Sequence, residues 1–213
     1  MRLNTPSKKG VPMARPKNEQ LHEDRRLQIL KAAAEVFRTK GFHASRTEEI
    51  CSTAKMSAGT LFRYFRDKEE IIATIAEMEF EMYYEKSKML FTRDGFEYLA
   101  SIDGEGMRQL WGPVGLGLGL DSWLELYRSE KYAAQYKAKD ATLRLQLADA
   151  LRCGQSEGWV RQMLNPDHAA QIIIALCSGM LVEQQLDPGM DFEHMAGGLR
   201  GFVSSYIMEE VSR

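Results

Sequence analysis

The chain lacks most features of a secreted or membrane-spanning protein. It has three cysteines in 213 residues, widely spaced and with no CxxC pair, which argues against a disulfide framework and predicts reduced, packed thiols. It has no run of eighteen or more apolar residues without a charge, and its N-terminus has no hydrophobic signal core. We therefore expect a soluble, cytoplasmic protein without a membrane partner.

The chain also lacks the usual signatures of catalysis. Its four histidines are scattered, and none has a cysteine, histidine or carboxylate partner at metal-ligand spacing on one helix. No nucleophile elbow, phosphate-binding loop or zinc-protease motif is present. We therefore expect no enzyme, no metal and no cofactor. A helical enzyme with a pocket in the C-terminal domain is an alternative, for which the sequence suggests no catalytic base.

Acidic residues are scarce in the N-terminal part of the chain, and basic residues are outnumbered by acidic ones in the rest. Residues 1–66 carry 14 Lys and Arg against 6 Asp and Glu, a net charge of +8, whereas residues 67–213 carry 14 against 24, a net charge of −10. A basic N-terminal part attracts a polyanion and the acidic remainder is repelled by it. The division predicts nucleic-acid binding through the N-terminal part, weakened by salt.

The segment Thr47–Lys68 has the spacing of two short helices joined by a tight turn. Its apolar residues share one face of each helix, with Ile50, Cys51 and Ala54 in the first and Leu61 and Phe65 in the second. Ser45 and Glu48 have the spacing of a capping box, and Ser57 is placed to cap the second helix. Upstream, Ile29, Ala33 and Phe37 predict an amphipathic helix that ends near Gly41.

The second helix carries polar and cationic residues opposite Leu61 and Phe65. Arg63 can donate paired hydrogen bonds to guanine or a phosphate, and Phe62 can contact a thymine methyl group. Gly59 keeps the first turn slim enough for a close approach to phosphate. Thr60 and Tyr64 add hydroxyl groups, and Lys68 is a candidate phosphate anchor.

These residues resemble a known pattern. The run LQILKAAAEVFRTKGF, followed by TEEICSTAKMSAGTLFRYFRDKEEII, is similar to the N-terminal domain of the TetR family of bacterial transcriptional regulators over residues 25–72. The resemblance implies an all-α homodimer whose three-helix heads, each with a helix-turn-helix, release an operator when a small molecule enters the larger C-terminal domain. By position, it implies DNA-backbone contacts at Thr47, Ser57, Thr60, Phe62, Tyr64 and Lys68, and positions near base edges at Ala58, Gly59, Thr60 and Arg63.

Three positions depart from the family pattern. Phe62 stands where Tyr is usual, so its contact should be apolar or absent. Lys55 stands where Gly commonly ends the first helix, and a lysine adopts the left-handed conformation only at a cost. Cys51 replaces a common Ala, which changes the packing little.

We expect three segments: a disordered basic arm at 1–22, a DNA-binding domain at 23–67, and a ligand-binding and dimerisation domain at 68–213. The arm either reaches an adjacent minor groove or is only a solvated tail. We expect about nine helices in all. Those of the last domain should lie at 68–91, 94–102, 107–129, 133–157, 166–186 and 191–211. In the first of these, Ile71, Ile75, Met78, Met82 and Tyr83 form the expected inward stripe.

The last domain has candidate ligand-binding and dimer-forming segments. Small glycines near bulky aromatics predict a cavity for an apolar or aromatic inducer, lined by Met78, Met82, Met107, Trp111, Trp123 and Tyr127; the competing interpretation is that these side chains are core. The helix at 166–186 is apolar nearly all round, which predicts a homodimer through the last two helices or a fully buried monomeric helix. A DNA-binding architectural protein without any ligand is the remaining alternative.

Overall fold

A computed structural model describes residues 16–112 and 115–209 of the chain, and it is helical, with no strand in these ranges. Contacts divide the chain into two compact units, residues 1–66 and 67–213. Each unit is described separately below.

Three α-helices form the first unit: α1 (Pro16–Lys40), α2 (Thr47–Thr53) and α3 (Ala58–Leu61). The amphipathic pattern around Ile29, Ala33 and Phe37 is confirmed, because all three side chains are buried. α1 ends where Gly41 takes a positive φ of 76° and its N–H bonds to the Phe37 carbonyl at 2.8 Å. The three helices enclose one small apolar core.

The structure changes two expectations for this unit. Residues 16–22, expected in a disordered arm, are the first turns of α1, where Gln20 donates to Asp24 one turn later at 2.9 Å. The remainder of the expected arm, residues 1–15, lies outside the described residues. The expected capping box of Ser45 and Glu48 is not formed, because buried Ser45 donates to the Phe42 carbonyl; α2 has only the bond from the Arg46 N–H to Glu49 at 2.9 Å.

The second unit contains seven further α-helices among the described residues. They are α4 (Lys68–Ser87), α5 (Arg93–Ser101), α6 (Gly104–Trp111), α7 (Leu120–Arg128), α8 (Ala133–Glu157), α9 (Pro166–Leu186) and α10 (Phe192–Phe202). A 3-10 turn (Lys88–Phe91) follows α4 and a π-helical turn (Val203–Ile207) follows α10. Side chains from α5, α6, α8, α9 and α10 share its main core, and the all-α class is confirmed.

Local signals set most helix ends in this unit. Asn165 caps α9 by accepting from the His168 N–H at 3.0 Å, and Pro166 takes the first helical position. α8 ends at Gly158, whose φ is 82°. The expected ends of these two helices are confirmed. Asp103 caps α6 through the Gly106 N–H at 2.8 Å, so the expected break at 104–106 is instead a helix start.

Three of the expected helices are divided or shortened. The helix expected at 107–129 is α6, a loop and α7, because Gly115, Gly117 and Gly119 take positive φ values of 58°, 71° and 49°. The helix expected at 68–91 changes to a 3-10 turn at Lys88. The last helix ends at Phe202, and the tail of its expected range, 210–211, lies outside the described residues.

The inward stripe of α4 is also partly wrong. Ile71, Ile75 and Tyr83 are buried as expected, whereas Met82 is 45% exposed. Glu79 takes the inward position instead and is fully buried. A sequence pattern assigns a carboxylate to the surface, and only partners distant in the chain reverse that assignment.

Within the described ranges, one helix, α9, is long and apolar enough by length and composition to cross a membrane, and a third of its most apolar window is buried inside the protein. Length and composition alone do not identify a membrane-spanning helix, since core helices of soluble proteins have the same length and composition.

Candidate nucleic-acid interface and ligand cavity

The turn between α2 and α3 is built by backbone hydrogen bonds. The N–H of Met56 bonds to the Cys51 carbonyl at 3.0 Å, and the N–H of Lys55 bonds to the Ser52 carbonyl at 3.1 Å. This pair is the Schellman arrangement, which requires a left-handed residue just after the helix. Lys55 supplies it with a φ of 53°, as the sequence analysis expected.

The second helix of the pair is short but continues into hydrogen-bonded turns. Ser57 caps α3 by accepting from the Thr60 N–H at 3.2 Å, which confirms the expected cap. Beyond Leu61, the N–H of Phe65 still bonds to the Leu61 carbonyl at 3.1 Å. Leu61 and Phe65 are 0% and 2% exposed, so they anchor the segment 57–65 in the core of the first unit.

All but one of the side chains expected to meet DNA belong to the first unit, and each of them is exposed or half-buried. Phe62 is a large apolar residue and lies in the chain between buried Leu61 and buried Phe65, yet its side chain is 51% exposed. Arg63 is exposed, and Thr60 and Tyr64 are half-buried. The remaining expected positions are Ser57, Ala58 and Gly59, which are exposed, and Thr47, which is half-buried. Lys68 is half-buried and opens α4 in the second unit.

Three contacts in the first unit were missed by the sequence analysis. The His22 ring lies against the Tyr64 ring, with centroids 4.7 Å apart, and Arg26 lies over the Phe65 ring at 5.3 Å. Lys40 pairs with Glu49, and this bond with the Arg46 N–H holds the pKa of Glu49 below its usual value. His22 and Arg26 are four residues apart on α1. This spacing predicts that they share one face of the helix, but it does not predict which residues they contact.

The second unit contains a cavity of about 230 Å³. Three aromatic residues line it: Tyr83 of α4, Trp111 of α6 and Trp123 of α7, with the Tyr83 and Trp123 rings 5.4 Å apart. The other lining residues are Gly112, Gly117, Gly119, Leu120, Leu181, Gln184, Gln185 and Pro188. The glycine-rich loop and the end of α9 therefore form the rest of the wall.

The six expected ligand-binding residues are only partly brought together. Trp111 and Trp123 line the cavity, whereas Met78, Met82, Met107 and Tyr127 are not among its lining residues. Met107 is fully buried in the main core, and Tyr127 is 44% exposed. Gln184 and Gln185 were missed because a glutamine on a helix carries no signal of a pocket.

Glu79 fastens the glycine-rich loop beside this cavity. Its carboxylate accepts from the N–H of Leu118 at 2.9 Å, the N–H of Gly119 at 2.8 Å and the Ser122 hydroxyl at 3.0 Å. Burial raises the pKa of Glu79, and these hydrogen bonds oppose the rise. α7 has no side-chain cap from its own N-terminal residue, and Glu79 of α4 instead holds the two residues that precede α7 and the Ser122 hydroxyl of its first turn.

Comparison with known proteins places the chain in a family. Residues 29–75 match bacterial regulatory proteins of the tetR family, and residues 113–207 match the C-terminal domain of BetI-type transcriptional repressors. The transcriptional regulator UidR of Escherichia coli strain K12 is 25% identical over 187 residues, which cover 85% of this chain and 92% of UidR.

Two solved structures share the fold. A regulator from Saccharomonospora viridis in complex with choline superposes with a TM-score of 0.68 at 22% identity, covering 88% of this chain and all of that one. FadR from Bacillus subtilis in complex with stearoyl-CoA superposes with a TM-score of 0.63 at 22% identity, covering 84% of this chain and 97% of that one.

The chain is thus a helix-turn-helix regulator of transcription. It belongs to the TetR family of bacterial regulatory proteins. The family resemblance seen in the sequence is confirmed, and the family consists of DNA-binding transcriptional regulators rather than enzymes. Among the described residues, no group of three or more His, Cys, Asp or Glu is placed to hold a metal ion.

Proposed function

We propose that the protein is a cytoplasmic, homodimeric repressor that binds a palindromic operator and leaves it when a small, ring-bearing molecule enters the second unit. Family membership supports ligand-responsive regulation and disfavours a purely architectural role. The two heads of the dimer would occupy half-sites about one or more helical turns, roughly 34 Å, apart. The relatives with bound molecules hold unlike ligands, choline and stearoyl-CoA, so they do not indicate which ligand this chain binds.

The DNA-facing surface is the accessible side of residues 57–65 in the first unit, and Thr47 and Lys68 are further candidate contacts to the DNA backbone. The observation that carries the proposal is the alternation within one turn: Leu61 and Phe65 are buried while Phe62 and Arg63 are exposed. The core therefore fixes the orientation of the segment and leaves its other side for the major groove. Arg63 is the side chain best suited to read a guanine.

The dimer surface is the exposed side of α9 and α10. Ile172 and Leu176 of α9 are 45% and 36% exposed although both are large and apolar. A Cβ built on Gly179, Gly198 or Gly201 would meet no other atom within 4 Å, so these positions are open. Apolar side chains beside open small residues suit close helix packing against a second copy.

Replacement of Arg63 by alanine tests the DNA surface. The variant should lose about 1–3 kcal/mol of operator binding, with relaxed base preference, because a paired contact to a base edge is lost. A gel-shift titration at several salt concentrations, with specific and scrambled duplexes, measures both effects.

The matched control is Lys31→Ala, which removes one positive charge from an exposed position on α1 of the same unit. It should leave sequence preference unchanged. Equal operator affinity in Arg63→Ala and the unaltered protein would remove Arg63 from the interface.

A further inference from the structure

The cavity of the second unit is lined by uncharged side chains. The polar side-chain groups of its lining residues are the Tyr83 hydroxyl, the N–H groups of Trp111 and Trp123, and the amides of Gln184 and Gln185; none of the described lining residues is Asp, Glu, Lys, Arg or His. Transfer of an ionised group from water into such a site is costly unless a counter-ion or several hydrogen bonds receive it. The lining therefore disfavours a charged group of either sign.

Two carboxylates bond to the wall of this cavity: exposed Asp121 accepts from the lining Gln185 amide at 3.0 Å, and buried Glu79 accepts from the loop. Glu79 is fully buried, and both of its carboxylate oxygens accept hydrogen bonds, two of them from backbone N–H groups of the loop that lines the cavity. Its two oxygens accept from the backbone N–H groups of Leu118 and Gly119, and such bonds favour the ionised form, whereas burial raises the pKa of Glu79. No Lys, Arg or His forms an ion pair with Glu79 within the described part of the chain.

A lysine further along α4 is engaged elsewhere. Lys86 lies seven residues, or about 10 Å of helix, beyond Glu79 on α4. It lines a smaller neighbouring space of about 20 Å³, and its ammonium donates to the carbonyls of Gln109 and Leu110 at 3.1 and 3.2 Å. The positive charge is thus held by α6, whereas Glu79 hydrogen-bonds to Gly119, a lining residue.

The size and rings of the cavity restrict the ligand further. At about 230 Å³ it is smaller than the roughly 300–1,000 Å³ typical of sites for drug-sized molecules. Tyr83, Trp111 and Trp123 present ring surfaces suited to a flat partner. A compound of one or two rings matches this volume and these walls.

We infer that the cavity selects an uncharged aromatic ligand of one or two rings, and that Glu79 is a specificity-determining residue that excludes anions by its buried charge. This inference rests on the proposed function, since it names the ligand class for the same cavity. Glu79 acts through the loop wall and does not line the cavity. The order of affinity should be neutral, then cationic, then anionic, because a cation loses its hydration but is attracted by Glu79.

Three indoles of matched shape test the ligand class: neutral 3-ethylindole, cationic tryptamine and anionic indole-3-acetate. Titration calorimetry on the full chain should give the tightest dissociation constant for 3-ethylindole, with indole-3-acetate weaker by about tenfold or more. Operator release in a gel shift should follow the same order. Equal or tighter binding of indole-3-acetate, or tighter binding of tryptamine, would overturn the inference.

The variant Glu79→Gln tests the role of the carboxylate. It should reduce the ratio of the dissociation constants of indole-3-acetate and 3-ethylindole by several fold. Retained binding of neutral 3-ethylindole would show that the cavity is intact. The control is Glu85→Gln, which removes an exposed carboxylate from the same helix. An unchanged ratio in a folded Glu79→Gln protein, judged by circular dichroism, excludes Glu79 as the selective element.

The outcomes separate the two proposals. Release of the operator by a charged indole leaves the proposed function standing and overturns the neutral class. Failure of all three indoles to bind or to release the operator counts against both the ligand class and the assignment of this cavity as the inducer site.

Discussion

Lys55 is the one residue other than glycine with a positive φ among the described residues. Its left-handed conformation costs a side-chain-bearing residue roughly 1 kcal/mol or more relative to glycine. The Schellman bonds at Lys55 and Met56 require that conformation, so the turn of the DNA-binding unit forms despite this cost. The resemblance to the family pattern predicted the strain, because Lys55 stands where that pattern commonly has glycine.

Substitution of Lys55 by glycine should therefore stabilise the first unit by about 1 kcal/mol. Urea denaturation followed by circular dichroism measures the change. The control Ser52→Gly, placed inside α2 at an exposed helical position, should destabilise by about 0.5 kcal/mol or more. A loss of stability in both variants would show that Lys55 stabilises the turn by a contact of its own.

At the scale of elements, α7 is held in place by hydrogen bonds to Glu79, a residue of α4 that is distant in sequence. Its position depends on Glu79 of α4, which bonds the loop before it, and on Ser122, which is fully buried and donates to Glu79. A Cβ at Gly115 would come within 2.8 Å of the Glu79 side chain, so the loop needs glycine to approach α4. A single helix was expected at 107–129 because the local sequence shows the glycines of this segment but not their contacts. The contact that holds the loop is made with Glu79, which lies about 40 residues earlier in the chain.

Replacement of Ser122 by alanine should lower the free energy of unfolding by about 1–3 kcal/mol, because a buried carboxylate oxygen loses a donor. Thermal or urea unfolding of the second unit measures the loss. The control is Ser156→Ala on α8, where an exposed hydroxyl bonds to the Cys153 carbonyl at 2.7 Å; it should change stability by less than about 0.5 kcal/mol. Equal stability of Ser122→Ala and the unaltered protein would contradict the fastening role.

At the scale of the whole molecule, charge and apolar surface are distributed for two different partners. The net charge of +8 in residues 1–66 suits a polyanion, and the net of −10 in the rest makes non-specific binding of DNA there unfavourable. The exposed apolar side of α9 lies in the acidic part. The proposed homodimer would cover that face, and the surrounding negative charge disfavours nucleic acid there.

The variant Ile172→Glu should convert a dimer into a monomer, because a two-fold interface would bury two unpaired carboxylates close together. Analytical ultracentrifugation measures the mass, and operator affinity should fall with the loss of the second half-site. Leu145→Glu, at a 61% exposed apolar position on α8, is the control and should remain dimeric. A dimeric Ile172→Glu protein would remove α9 from the interface.

The sequence by itself determined the helical class, the head and most helix ends of this protein, because caps, apolar spacing and glycine conformations act within a few residues. Ser57, Asn165 and Gly158 are such signals, and Leu61 and Phe65 show their buried face by spacing alone. Only the tertiary structure decided the inward position of Glu79, the split between α6 and α7, and which aromatics line the cavity. Those features depend on donors and walls dozens of residues apart in the chain, which no local pattern encodes.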